Sequence, residues 1–135
     1  MTFLSSFSVT THGKDEWLDI TAEVEKIVAA SGVTEGLCVV FVPHTTAAVT
    51  VNEDADSDVP RDLRLALAAA CPDRREFRHA EGNSAAHAKT SLVGPSLTLI
   101  VSGGRLLRGT WQGLWFTEFD GPRTRKVHVR VLGEG

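Results

Sequence analysis

The spacing of hydrophobic residues changes along the chain, and each change marks an element. From Phe3 to Thr11 apolar and polar residues alternate loosely, as in a half-buried strand. Glu16 to Ile20 reads as a second, short strand. Ile20, Val24, Ile27 and Val28 then recur at helical spacing before Gly32, which predicts a helix over Thr21 to Ser31. Leu37 to Val42 is unbroken apolar sequence, expected to be a central strand covered on both faces. Pro43 ends it, and a further strand runs from Ala47 to Asn52. Val59, Leu63, Ala66, Leu67 and Ala70 form the stripe of a second helix, with Asp54, Asp56 and Asp58 near its positive end and Pro60 near its first turn. Residues 72–91 are polar and aperiodic, and are expected to be irregular. Leu97 to Val101 is a strand, Gly103-Gly104 a hairpin signal, and Leu106 to Phe119 one or two further strands. Gly121-Pro122 turns the chain into a last half-buried strand, where Val127, Val129 and Val131 alternate with His128 and Arg130. About seven strands with short connections and two helices make an α+β domain, a sandwich of two mostly antiparallel sheets covered by the helices.

Composition narrows the function classes. The 135 residues are 42% hydrophobic and 23% charged, which is one ordinary globular domain over residues 1–135. A net charge of -3 argues against nucleic acid as partner. The two dense cationic clusters, Arg74-Arg75 with Arg78 and Arg123 to Lys126, read first as solvated faces. No apolar run approaches the roughly 18 residues of a membrane span, and Met1 to Ser6 lacks the basic and apolar regions of a secretory signal. Cys38 and Cys71 form no metal motif, and the cytoplasm, with both thiols reduced, is the expected location.

The candidate chemistry lies where histidines meet amides, hydroxyls and carboxylates. His44 follows the apolar strand and Pro43, so a rigid frame would hold it. His79 and His87 lie eight apart in the polar segment, with Glu81, Asn83 and Ser84 between them. That spacing matches no helical zinc motif, but a folded-back loop would bring both imidazoles to His44, giving a three-histidine site with an open position. Asn52 and Glu53 end the strand that begins near His44, which makes Glu53 a candidate acid or base. Asn52 to Asp58 resembles a calcium loop but lacks the glycine and the final glutamate such a loop needs. Trp111, Trp115, Phe116 and Phe119 read as core or subunit interface, and Gln112 and Glu118 interrupt that apolar setting as site candidates. Lys89, Thr90 and Ser91 could hold an anion, although no Walker or dinucleotide glycine pattern is present.

Four blocks together carry a family resemblance: His44-Thr45-Thr46-Ala47-Ala48-Val49-Thr50-Val51-Asn52-Glu53, Glu81-Gly82-Asn83-Ser84-Ala85-Ala86-His87, Gly109-Thr110-Trp111-Gln112-Gly113, and Glu118-Phe119-Asp120-Gly121-Pro122-Arg123. In order and nearly end to end, the chain resembles the YjbQ family of secondary thiamine-phosphate synthases. The resemblance implies a YjbQ-like two-sheet fold assembled as a homotrimer. It implies a weak activity that joins hydroxymethylpyrimidine diphosphate to thiazole phosphate and releases pyrophosphate, with the physiological role left open. It implies metal binding too, with His44, His79 and His87 as the ligand candidates and zinc, or magnesium with a diphosphate substrate, as the ion. Glu53, Asn83 and Glu118 are then the catalytic candidates, and Thr45, Asn52, Lys89 and Gln112 the candidates for holding a small phosphorylated substrate. One departure is Ala85-Ala86, where the family pattern has a polar residue before the last histidine. A trimeric, non-catalytic binder of a small anionic metabolite is the alternative.

Overall fold

A computed structural model describes residues 1–134. Eight strands and three helices are found among the described residues, in the order β1 (Thr2–Thr10), β2 (Glu16–Asp19), α1 (Thr21–Ser31), β3 (Gly36–Phe41), β4 (Ala47–Glu53), α2 (Asp58–Ala70), α3 (Ser84–Val93), β5 (Ser96–Ser102), β6 (Arg105–Leu106), β7 (Gln112–Glu118) and β8 (Thr124–Gly133). They form a five-stranded sheet, β1-β8-β3-β5-β6, and a three-stranded sheet, β2-β7-β4, in which every pairing is antiparallel.

The core follows from period-two alternation in both sheets. Cys38 and Val40 of β3, Val127, Val129 and Val131 of β8, Val49 of β4, and Leu114 and Phe116 of β7 are each fully buried in one cluster, so the inner faces pack against each other. Helix α1 adds Val24 and Val28 to that cluster. Its end is the left-handed Gly32 anticipated from the sequence. Gly103 and Gly104 both take positive φ between the paired Ser102 and Arg105, as a two-residue hairpin requires. On the outer face of the small sheet, Ala48 packs with Ala86 of α3 and with Phe119, joined by Leu67 of α2 and Val93.

Three expectations are corrected. Residues 84–93 of the polar segment are helix α3, whose buried contacts are Ala86 and Thr90. Ala86 packs on Ala48, and a buried face made of Ala86 and Thr90 leaves no large-residue periodicity to read. In α2, Pro60 alone is buried; Val59, Leu63 and Leu67 are half-buried and Ala66 and Ala70 exposed, because the helix lies on the surface. Strand β3 is covered on one face only: Leu37 and Phe41 each remain 43% exposed. They share the open face of the large sheet with Leu4, Ile100 and Leu132; Leu132, Leu37 and Ile100 lie in one row across β8, β3 and β5, while Phe41 is opposite His128 and Ser96 and Leu4 is opposite Arg130. The aromatic stretch 111–119 supplies core rather than that surface. Phe116 and Phe119 are buried, while Trp115 lies 6.4 Å from Trp17 and donates its indole N–H to the Glu53 carbonyl. Trp111 is the exposed exception, at 62%.

Candidate functional site

Three chain segments converge at one end of the sandwich. Pro43 stops β3 and delivers His44, Thr45 and Thr46; the turn before α3 brings His79, Glu81 and Asn83; and the start of β8 brings Arg123 and Arg125. With His87, from the first turn of α3, they line a hollow of about 370 Å³.

A buried ion pair forms its floor. Arg125 shares the inward parity of Val127, Val129 and Val131, and Glu118 shares that of Leu114 and Phe116, so both enter the space between the sheets. Arg125 Nε donates to Glu118 Oε1 at 2.9 Å, and Nη2 donates to Oε2 and to Thr46 Oγ1. Thr11 Oγ1 and the Asp120 N–H donate to the same carboxylate. Burial alone would raise the Glu118 pKa, but these donors outweigh it and hold the group below the ordinary glutamate value, as carboxylate. Glu118 is therefore a fixed anion that orients Arg125, whose Nη1 makes no hydrogen bond among the described residues.

A second network forms one wall. Asn83 Nδ2 donates to Asp120 Oδ2 at 2.8 Å, and Arg123 donates to the same oxygen through Nη2 and to the Asp120 carbonyl through Nε. Burial opposes ionisation of Asp120, yet the bonds from Asn83 and Arg123 keep its pKa below the ordinary value. Arg123 stays half exposed at the rim. Opposite, the rings of His79 and His87 meet edge to face with centroids 5.3 Å apart, and His79 Nε2 lies 3.9 Å from the Glu81 carboxylate. His44 is half-buried and accepts the Lys126 backbone N–H on Nε2 at 2.9 Å. Burial first, and the Arg125 charge second, lower its pKa.

The same arrangement of segments belongs to a known group. The family model described as UPF0047 protein YjbQ-like matches residues 5–134. The chain belongs to the UPF0047 YjbQ-like family. It is 47% identical over 131 residues to the Bacillus subtilis UPF0047 protein YugU, covering 96% of this chain and 99% of the relative. It is 44% identical over 131 residues to UPF0047 protein MJ1081 of Methanocaldococcus jannaschii, covering 97% and 95%. A crystal structure of an uncharacterised conserved YjbQ/UPF0047 protein from Clostridium acetobutylicum superposes with a TM-score of 0.92 at 50% identity over 95% of this chain and 99% of that one. A YbjQ-like protein of unknown function from Sulfolobus solfataricus gives 0.95 at 34% identity, covering 99% of each chain.

In this YjbQ-like chain the hollow gathers His44, Thr45, His79, Asn83 and His87 from the sequence candidates, with Glu118 beneath. Four others lie elsewhere. Antiparallel register sets Ala47 opposite Glu118 but Glu53 opposite Gln112, so Asn52, Glu53 and Gln112 sit at the far end of β4, about 20 Å away at 3.3 Å per residue. There Gln112 accepts the Gly109 N–H and Asn52 the Glu53 N–H. Lys89 lines an adjoining cavity of about 240 Å³, its ammonium 3.4 Å from Asp15 and 5.6 Å from the Phe119 ring centroid. Arg123 and Arg125 were the residues that sequence reasoning passed over as surface charge. The signal available was parity, since Arg125 falls in step with three core valines.

The three imidazoles share the hollow without sharing a coordination centre. His44 Nε2 is engaged by Lys126, the other two rings contact each other edge to face, and among the described residues no group of three His, Cys, Asp or Glu side chains is placed to hold an ion. As arranged, this donor set does not fit the zinc-like metal that the resemblance implies.

Proposed function

We propose that the hollow is the active site of a transferase acting on a small phosphorylated substrate, with the diphosphate held by Arg123, Arg125 and the hollow's polar N–H donors. The observation that supports it is the convergence of two guanidinium groups and three imidazoles on one cavity of about 370 Å³, over a Glu118 that is already neutralised. Guanidinium is the side chain suited to phosphate oxygens.

The reaction implied by the resemblance fits these resources. The thiazole ring nitrogen attacks the methylene carbon of hydroxymethylpyrimidine diphosphate; a C–N bond forms, the C–O bond breaks, and pyrophosphate leaves with the electron pair. An aromatic nitrogen with a free lone pair needs no base, and the hollow's buried carboxylate is committed to Arg125. What the chain supplies is charge stabilisation of the leaving group.

The protein works as a homotrimer, associating through the open apolar face around Phe41 and Ile100, in a reducing cytoplasm where Cys38 and Cys71 stay free thiols. The test is incubation of the purified protein with the pyrimidine diphosphate and thiazole phosphate. Product and pyrophosphate are expected, with loss of turnover in Arg123→Ala. Thermal stabilisation by the substrates with no product would favour the non-catalytic binder instead.

A further inference from the structure

His44 stands where the large sheet runs out of partners. The register of β3 against β8 pairs Phe41 with His128. Extended by two residues, it would set Lys126 opposite Pro43, where β3 has already ended. The Lys126 N–H would be left without a strand partner, and His44 Nε2 accepts it at 2.9 Å. That bond decides the state of the ring. An accepting Nε2 carries no hydrogen, so the ring's one proton sits on Nδ1. A metal on Nε2 would displace Lys126, and a metal on Nδ1 would move the proton to Nε2, directly against the Lys126 N–H.

We infer that His44 is locked as its Nδ1–H tautomer and donates that N–H to an anionic oxygen of the bound substrate, beside the free Nη1 of Arg125, instead of ligating a metal. This rests on the anion-binding reading of the hollow. Nδ1 has no hydrogen-bond partner among the described residues and is not sealed from solvent, and His44 lines the hollow together with Arg125. Arg125 has Nε and Nη2 committed to Glu118 and Thr46, which leaves Nη1 as its available donor. Both residues line the hollow, so an anion bound there would find a donor from each. Sequence alone presents His44 as a ligand or a base; the strand end makes it a donor.

The test has two arms. In the ligand-free protein, the ¹⁵N-detected tautomer of His44 is expected to show the proton on Nδ1; a proton on Nε2 overturns the inference whatever the hollow binds. In the second arm, inorganic pyrophosphate is the probe. His44→Asn places an amide nitrogen near the position of Nδ1, whereas His44→Gln reaches the position of Nε2 and can still accept from Lys126. Pyrophosphate is expected to bind about tenfold more weakly to His44→Gln, the loss of one charge-assisted hydrogen bond, and within about threefold of wild type to His44→Asn. The reverse order contradicts the donor role. Failure of wild-type protein to bind pyrophosphate overturns the site reading and the donor's partner together, while the tautomer measurement still tests the lock by itself. Should His44→Asn not fold, the tautomer and His44→Gln decide.

Discussion

Arg125 and Glu118 meet between the two sheets, their side chains 6% and 0% exposed, with Arg125 Nε 2.9 Å from Glu118 Oε1. The pair ties β7 to β8, with Arg125 lining the hollow. It is both a structural contact and the base of the proposed site.

Removing one member strands the other in a dry interior. Arg125→Met is expected to cost about 3–5 kcal/mol, which lowers Tm by more than about 10 °C. A double replacement, Arg125→Met with Glu118→Leu, should recover most of that loss because no lone charge remains. Thermal melts of the three proteins check this; a double variant no more stable than Arg125→Met would contradict it.

The same carboxylate sets an acid limit. The folded pKa values of Glu118 and Asp120 lie below their ordinary values, for the donors named above. Their contribution to stability is thus complete above the unfolded carboxylate range, about pH 4, and disappears as pH falls through the lower folded values. Melts between pH 7 and pH 3 should show a fall in Tm in the acid range that is shallower in Glu118→Gln. Equal slopes for the two proteins would remove Glu118 as a cause.

The sheet order explains what the sequence displays and what it conceals. Alternation in β1 and β8, the helical spacing of Val24 and Val28, and the glycine pair of the β5–β6 hairpin are local signals, and each produced its element. Helix α3 was hidden because small residues pack it: Ala86 against Ala48 needs no leucine stripe. The site was half legible. His44, His79, Asn83 and His87 announce themselves by residue type, and the structure brings them together. Glu53 looked adjacent to His44 because the two share a sequence block, yet a seven-residue strand carries it to the opposite end. Closeness along an extended strand is distance in space.

That separation is testable. Glu53→Ala should leave pyrophosphate binding within about twofold of wild type, whereas Arg123→Ala, at the rim of the hollow, should weaken it about tenfold or more through loss of a charge-assisted contact. Comparable losses in both would bring the far end of β4 into the site.

The proposed trimer would assemble through the open face of the large sheet. Leu37, Ile100 and Leu132 are each more than 40% exposed and adjoin across three strands. A charge there, as in Ile100→Glu, should convert a trimer to monomers by sedimentation, without loss of the folded β signal. Trp115→Glu should act differently, by destabilising the protomer, since Trp115 packs on Trp17 and bonds the Glu53 carbonyl within one chain. A trimer that survives Ile100→Glu would place the interface elsewhere.

Calorimetric titration of the purified, tag-free protein with inorganic pyrophosphate in the presence of a chelator addresses the site most directly. Saturable binding at one ion per chain, weakened by Arg123→Ala, is the predicted result. Heat of binding that appears only when a divalent metal is restored, and that His79→Ala together with His87→Ala abolishes, would contradict it and return the three histidines to the metal role.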